Sequence, residues 1–238
     1  AAPVCTLRYS RGTLQGRNLP FQITTDTCPF AALEKLYQTA QQQCPLPASS
    51  ELPFTSGLLG HLSYDLGRVT EKLPTYATDD TRLPEMLMGL YGWALVLDHQ
   101  QQTGYFVYSQ LIDDTEANRI QKLLLTEQTT SEDSSFSLTS SFKSNVDESY
   151  YHSALKKIDD YIHAGDCYQV NFAQRFTANC QGNPWEAYKV LRKAAPTHYA
   201  AYYDTGYDAD KGAVLSLSPE RFLAVDKNNH VIAQPIKG

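Results

Sequence analysis

Lys237 and Glu220 are the residues whose types and spacing could do chemistry. Lys237 follows an apolar run, Val231 to Ile236, interrupted by Pro235. A deprotonated amine at the end of such a run is a candidate nucleophile. Residues 221–226 (RFLAVD) and 231–236 (VIAQPI) read as two strands of a hairpin. Asn228 and Asn229 lie between them, and asparagine tolerates the positive φ of a type I′ turn. A two-residue turn pairs Lys227 with His230. Continued outward, that register sets Glu220 opposite Lys237, 17 residues away in sequence. Opposed side chains share a face, with Cβ atoms about 4.5–5.5 Å apart. The spacing therefore predicts an acid beside an amine.

Two readings of that pair stay open. A cross-strand ion pair at a surface contributes about 0–1 kcal/mol and implies no function. Pro235 favours a special site, because proline interrupts a ladder and belongs at an edge or a bulge. The chemical reading carries a tension of its own. A carboxylate beside Lys237 favours the protonated amine, which is no nucleophile. A Glu220 that is itself protonated when substrate binds removes the conflict, and serves as a general acid while Lys237 attacks.

The elements that must position these groups read as follows. Residues 21–25 form a strand, and Pro29 opens a helix to about Gln42 with Leu33, Leu36, Tyr37 and Ala40 on one face. Three glycines punctuate residues 57–68 (GLLGHLSYDLGR). Close backbone packing accounts for them; a phosphate cradle lacks its motif. Residues 91–98 and 104–109 form a hairpin. Asp113 and Glu116 make a capping box for a helix through Leu125.

Residues 126–145 are dominated by Ser, Thr, Glu and Asp and read as a polar linker. It separates an α+β subdomain, residues 1–125, from a second domain, residues 146–238. In the second, Asp147 caps a helix that carries Tyr151, Leu155, Ile158 and Ile162 and stops at Gly165. Residues 167–176 (CYQVNFAQRF) alternate as a strand, with Gln169, Asn171 and Arg175 on its polar face. Asn183 caps a further helix that Pro196 ends. Strands follow at 199–203, 213–218, 221–226 and 231–236. Helices mix with hairpins instead of alternating with single strands, so the class is α+β.

A net charge of −6 without a basic run argues against nucleic acid. No stretch approaches the roughly 20 apolar residues that cross a membrane. The N-terminus lacks a signal-peptide pattern, which reads as cytoplasmic. The five cysteines lack metal-ligand or CxxC spacing, which favours free thiols. The histidines are also scattered, so no metal site is expected within the chain.

Three strings now carry a resemblance. GDCYQVNFAQRF (Gly165–Phe176), SLSPERF (Ser216–Phe222) and QPIKG (Gln234–Gly238) look like the chorismate-utilising enzymes. Upstream, SGLLGHLSYDLGR and LYGWALVLDHQ resemble the same family, so the likeness covers nearly the whole chain. It implies antiparallel sheets packed as a sandwich with helices outside, as in anthranilate synthase component I. Lysine in the PIKG string resembles the aminodeoxychorismate synthase branch; the anthranilate, isochorismate and salicylate branches carry alanine there.

The resemblance implies that Lys237 adds to C2 of chorismate while Glu220 protonates the departing C4 hydroxyl. Ammonia then attacks C4 and displaces the lysine. The product is 4-amino-4-deoxychorismate, a precursor of 4-aminobenzoate and folate. Gly238 would contribute to substrate binding. The family further implies a glutamine amidotransferase subunit that supplies ammonia, and Mg2+ on the substrate carboxylate. Family members are about twice this length, so the chain reads as an N-terminal fragment lacking its C-terminal half. The magnesium ligands are expected downstream of Gly238. Some members hold tryptophan with a Pro-aromatic-Ser segment. His198, Tyr199 and Ala200 occupy that place as tryptophan-pocket candidates, and their departure from the pattern counts against tryptophan binding. Anthranilate synthase component I is the alternative enzyme. A non-catalytic module that docks an amidotransferase or a complementary chain is the alternative of another class. Strand edges and apolar surface are expected to lie open in the chain by itself.

Overall fold

A computed structural model describes residues 2–24, 26–44, 52–76, 78–81, 83–126, 135–206 and 212–236. The chain divides into two compact units. One is Ala1–Gln128 with Thr205–Lys211, and the other is Thr129–Asp204 with Gly212–Gly238.

The first unit is built on four antiparallel strands in the order β2-β1-β4-β3. These are β1 (Cys5–Ser10), β2 (Thr13–Arg17), β3 (Gly57–Leu62) and β4 (Met86–Tyr91). Helix α1 (Pro29–Gln43) opens on proline, as expected, and buries Ala32, Leu36 and Ala40. They meet Cys5 and Leu7 of β1, Leu66, and Met86 and Leu90 of β4 in one core. Residues spaced at three and four along α1 face one way, which lets one helix close one sheet face. Residues 21–24 are not a strand, a correction of the reading above. Phe21 and Ile23 pack their side chains against the core without a strand partner.

Of the glycines in the 57–68 stretch, Gly60 serves close backbone packing. A Cβ on Gly60 would sit 2.1 Å from the Leu87 carbonyl oxygen across the β3–β4 pair. A short 3-10 helix, Tyr64–Val69, follows β3. Arg68 clamps it, donating to Asp65 and to the carbonyls of Leu73 and Pro74.

Strands β5 (Trp93–Asp98) and β6 (Thr103–Tyr108) form the expected hairpin. Its turn is held by the Asp98 carboxylate, which accepts from the amides of Gln100 and Gln101. Helix α2 (Asp114–Leu125) starts where predicted, with Asp113 accepting from Glu116 N at 2.8 Å. The reciprocal half of the capping box is replaced. The Glu116 carboxylate takes two bonds from Arg119, both 2.6 Å.

The second unit has smaller sheets, again all antiparallel pairs. Strand β7 (Phe136–Leu138) pairs with β10 (Cys180–Gly182), and β8 (Lys143–Ser144) with β9 (Phe176–Thr177). Part of the polar 126–145 stretch is thus paired strand and not free linker. Its composition hid this, because short strands need few apolar anchors once a partner supplies the ladder. Helix α3 (Glu148–Ala164) has Asp147 as its cap, accepting from Tyr150 N at 2.7 Å, and Gly165 at φ 80° as its stop. Glycine is favoured there because it enters the left-handed region without a Cβ clash. Helix α4 (Pro184–Ala194) is capped by Asn183.

The stretch 167–176 is corrected: apart from Phe176 it forms no strand. Alternation gives a segment two faces, but a strand also needs a partner for its amides. Among the described strands none pairs with residues 167–174, and Arg175 bonds to Asn145 just before β9 begins. Tyr168 is 94% exposed.

Strands β11 (Tyr199–Asp204) and β12 (Ala213–Ser218) pair along their full lengths. Helix α4 packs there through Trp185 and Tyr188, whose rings lie 5.1 and 5.7 Å from that of Tyr202. Burial, with Asp204 adding to it, pushes the Tyr202 hydroxyl pKa up. Ala187 and Tyr188 are the buried hydrophobic residues of this unit among those described. Helix α3 fully buries none: Tyr151, Ala154 and Ile158 are half-buried, with the Tyr151 ring 5.5 Å from that of Phe172, while Leu155, Tyr161 and Ile162 lie exposed. Strands β13 (Ala224–Val225) and β14 (Val231–Ile232) complete the unit. The class throughout is α+β, as expected from the mixed pattern. No helix of the described residues is long and apolar enough to cross a membrane. The five cysteines are free thiols.

Candidate active site

The β13–β14 hairpin forms where expected, but its strands hold two residues each instead of six and its register is shifted by one. Ala224 pairs with Ile232 and Val225 with Val231. Asp226 N donates to the His230 carbonyl at 3.0 Å. The turn therefore holds three residues, Lys227, Asn228 and Asn229, and Lys227 does not pair with His230. Asn229 alone takes positive φ, at 62°.

The physical reason is Asp226. One carboxylate oxygen accepts from the amides of Asn228 (2.7 Å) and His230 (2.9 Å), and the other meets His230 Nδ1 at 3.0 Å. An aspartate that closes over its own backbone selects this turn, and an asparagine pair does not override it. The His230 amide, then the Asn228 amide, His230 side chain and Lys227 charge hold the Asp226 carboxyl below the usual carboxylate range.

A depressed folded-state pKa means that the carboxylate's contribution is present above the unfolded value. It is lost as pH falls through the folded value. Acidification below the ordinary aspartate range is thus expected to weaken this turn. Asp226→Ala should do so at neutral pH, and Asp226→Asn should largely retain it. Amide exchange at Asn228 and His230 checks this. Unchanged protection in Asp226→Ala would remove the aspartate from the account.

Carried outward, the observed register sets Glu220 opposite Ile236. The Glu220 carboxylate accepts a hydrogen bond from Ile236 N at 3.2 Å. The acid thus reaches across the hairpin mouth to the residue that precedes Lys237 in the chain. Lys237 and Gly238 themselves lie outside the described residues.

Glu220 follows β12 and is tied to its end. The Ser218 hydroxyl donates to the Glu220 carbonyl at 2.9 Å, and Glu220 N donates back to that hydroxyl at 3.3 Å. Ser218 pairs with Tyr199 on β11. The Arg221 guanidinium stands over the Tyr199 ring at 5.1 Å, within cation–π range. Of the three tryptophan-pocket candidates, Tyr199 and Ala200 lie at the start of β11, and His198 precedes them with its ring 6.5 Å from Tyr199's. Tyr199 joins the Glu220 turn through Ser218 and Arg221.

Sequence reasoning missed Ser218, Asp226 and the Arg221–Tyr199 contact. The first two had a signal: a hydroxyl two residues before Glu220, and an aspartate at the head of a turn, both common ways to close local backbone bonds.

A cleft of about 210 Å3 in the first unit is lined by Trp93, Ile120, Leu123 and Leu124, with Glu116 and Arg119 beside them. Its two charges satisfy each other, which leaves no group aimed at a ligand. Among the described residues, no group of three His, Cys, Asp or Glu could hold a metal ion.

Comparison with known proteins gives the family and the fold. Residues 8–238 match the family of the chorismate binding enzyme. Aminodeoxychorismate synthase component 1 of Escherichia coli (strain K12) is 38% identical over 240 residues, which cover 100% of this chain and 50% of that protein. Its counterpart from Klebsiella aerogenes is 42% identical over 226 residues, covering 91% and 48%. The chain therefore spans about half the length of the curated relatives it matches. In structure it is similar to anthranilate synthase component I from Streptococcus pneumoniae TIGR4, with a TM-score of 0.76 at 24% identity over 95% of this chain and 51% of that one. That likeness bears out the α+β fold expected from the three strings. The chain belongs to the chorismate binding enzyme family.

Proposed function

We propose that this chain is one half of an aminodeoxychorismate synthase component I, which converts chorismate and ammonia to 4-amino-4-deoxychorismate on the way to 4-aminobenzoate and folate. The observation that carries the reading is the hydrogen bond from Ile236 N to the Glu220 carboxylate. It brings a carboxyl group to the residue next to Lys237. The family match and the relatives of that name support it.

The chemistry has two displacements. The neutral Lys237 amine bonds to C2, the ring double bonds shift, and the C4–oxygen bond breaks. Glu220 gives its proton to that oxygen, which leaves as water. Ammonia then bonds to C4, the double bonds shift back, and the C2–nitrogen bond breaks. Lys237 leaves C2 as the free amine, and the proton released by the incoming ammonia returns to the Glu220 carboxylate. Two covalent steps replace one difficult substitution. Gly238 adjoins the bound substrate.

A glutamine amidotransferase subunit supplies the ammonia in this reading, and the reaction takes place in the cytoplasm. The described residues do not fit a magnesium site, and no step above runs through the metal. The expected Mg2+ belongs to the part of the family's length that this chain does not span. The same part covers the open face of α3 and the exposed Tyr168 and Phe222. Without it the chain is inactive, and its role narrows to docking that half. Lysine at position 237 disfavours the anthranilate reading, whose product is substituted at C2.

The test is chorismate turnover with magnesium and excess ammonium, with products resolved by mass and chromatography. The full-length product of the gene is expected to form 4-amino-4-deoxychorismate, and the 238-residue chain none. Product from the short chain would overturn the two-half account. Anthranilate from the full-length product would overturn the assignment.

A further inference from the structure

We propose that Ser218 is a positioning residue for the Glu220 carboxyl group, acting through the main chain of Glu220. The inference deepens the reading of Glu220 as the general acid and rests on it.

Both polar main-chain groups of Glu220 bind a single side-chain atom, the Ser218 hydroxyl oxygen, as acceptor and as donor. Pro219 lies between the two residues, and its ring fixes its own φ near −65°. A stiff residue closed by a two-way hydrogen bond leaves the Glu220 main chain few alternatives. The far end of the side chain is held separately, by Ile236 N. Glu220 is thus anchored at both ends.

Each anchor belongs to a different paired element. Ser218 is the last residue of β12, opposite Tyr199 of β11, and that pair is backed by Trp185 and Tyr188 of α4. Ile236 follows β14, whose register Asp226 sets. The acid is therefore located relative to both the β11–β12 pair and the hairpin that leads to Lys237.

Glu220 is exposed, so neighbouring side chains do not fix its place by packing. A free glutamate side chain samples many rotamers, and a proton donor displaced by about 1 Å loses much of its effect. Local hydrogen bonds must do what burial does elsewhere. The serine hydroxyl is small enough to serve as both donor and acceptor there.

The experiment is steady-state kinetics on the full-length product of the gene carrying Ser218→Ala, Ser218→Thr, Glu220→Gln and the Ser218→Ala/Glu220→Gln pair. Ser218→Ala should lower kcat by about 10- to 100-fold, short of the roughly 10²- to 10⁴-fold that a general acid contributes. KM for chorismate should change little. Ser218→Thr keeps a hydroxyl and should restore most of kcat. In the Glu220→Gln background, Ser218→Ala should cost nothing further, because its effect runs through the acid. Losses that multiply in the double variant would mean a general structural role and overturn the inference. So would normal kcat in Ser218→Ala beside a slow Glu220→Gln, which leaves the acid assignment standing. Normal turnover in Glu220→Gln would overturn the acid assignment itself, and the inference with it.

Discussion

With Lys237 replaced by alanine, the full-length enzyme should lose amination at C4 by roughly three orders of magnitude or more. In the proposed covalent route, the other amine of the hairpin is too far away to substitute. Lys227 lies in the turn, at the other end from the Glu220–Ile236 contact. The informative companion is Lys237→Arg. Arginine keeps the positive charge and any ion pair with Glu220, but its guanidinium stays protonated and cannot attack. An ion-pair role therefore predicts that Lys237→Arg works and Lys237→Ala fails. A nucleophile predicts that both fail. Intact-protein mass after mixing with chorismate adds a direct reading: the wild type should trap an adduct and both variants should not. Turnover by Lys237→Arg would sink the nucleophile assignment.

Glu220→Gln is expected to slow kcat by about 10²- to 10⁴-fold with a small change in KM. Glutamine is nearly isosteric, and its side-chain carbonyl can still accept from Ile236 N. The hairpin should therefore keep its form, and the loss isolates the missing proton. Glu220→Asp retains the acid but shortens the side chain by one methylene. It cannot reach the same point from the same main-chain anchor, so it should fall between wild type and Glu220→Gln. Rapid quench, following loss of the C4 hydroxyl in a single turnover, separates this step from binding. Weak binding with normal turnover of bound substrate would assign Glu220 to substrate contact instead.

Much of the site and fold was legible because local rules dominate there. Asp113, Asp147 and Asn183 cap the helices they were expected to cap, and Gly165 ends α3. A cap joins a side chain to an amide two or three residues away, so nothing distant can move it. The identities of Glu220 and Lys237, and the strings around them, were likewise sufficient to indicate the chorismate family before any geometry.

What the chain could not disclose by itself depends on competition and on partners. The Asn228–Asn229 pair pointed to a two-residue turn, but Asp226 offered the backbone a better set of hydrogen bonds and lengthened it by one. That single residue decides whether Glu220 faces Ile236 or its neighbour. Residues 167–174 alternate as a strand should, yet no described strand pairs with them. Conversely, β7 and β8 emerge from a stretch that reads as linker, because β10 and β9 pair with them. Helices, caps and reactive residue types are set by near neighbours in sequence. Strand pairing and the Ile236 anchor on Glu220 arise where distant segments meet, so the tertiary structure alone decided them.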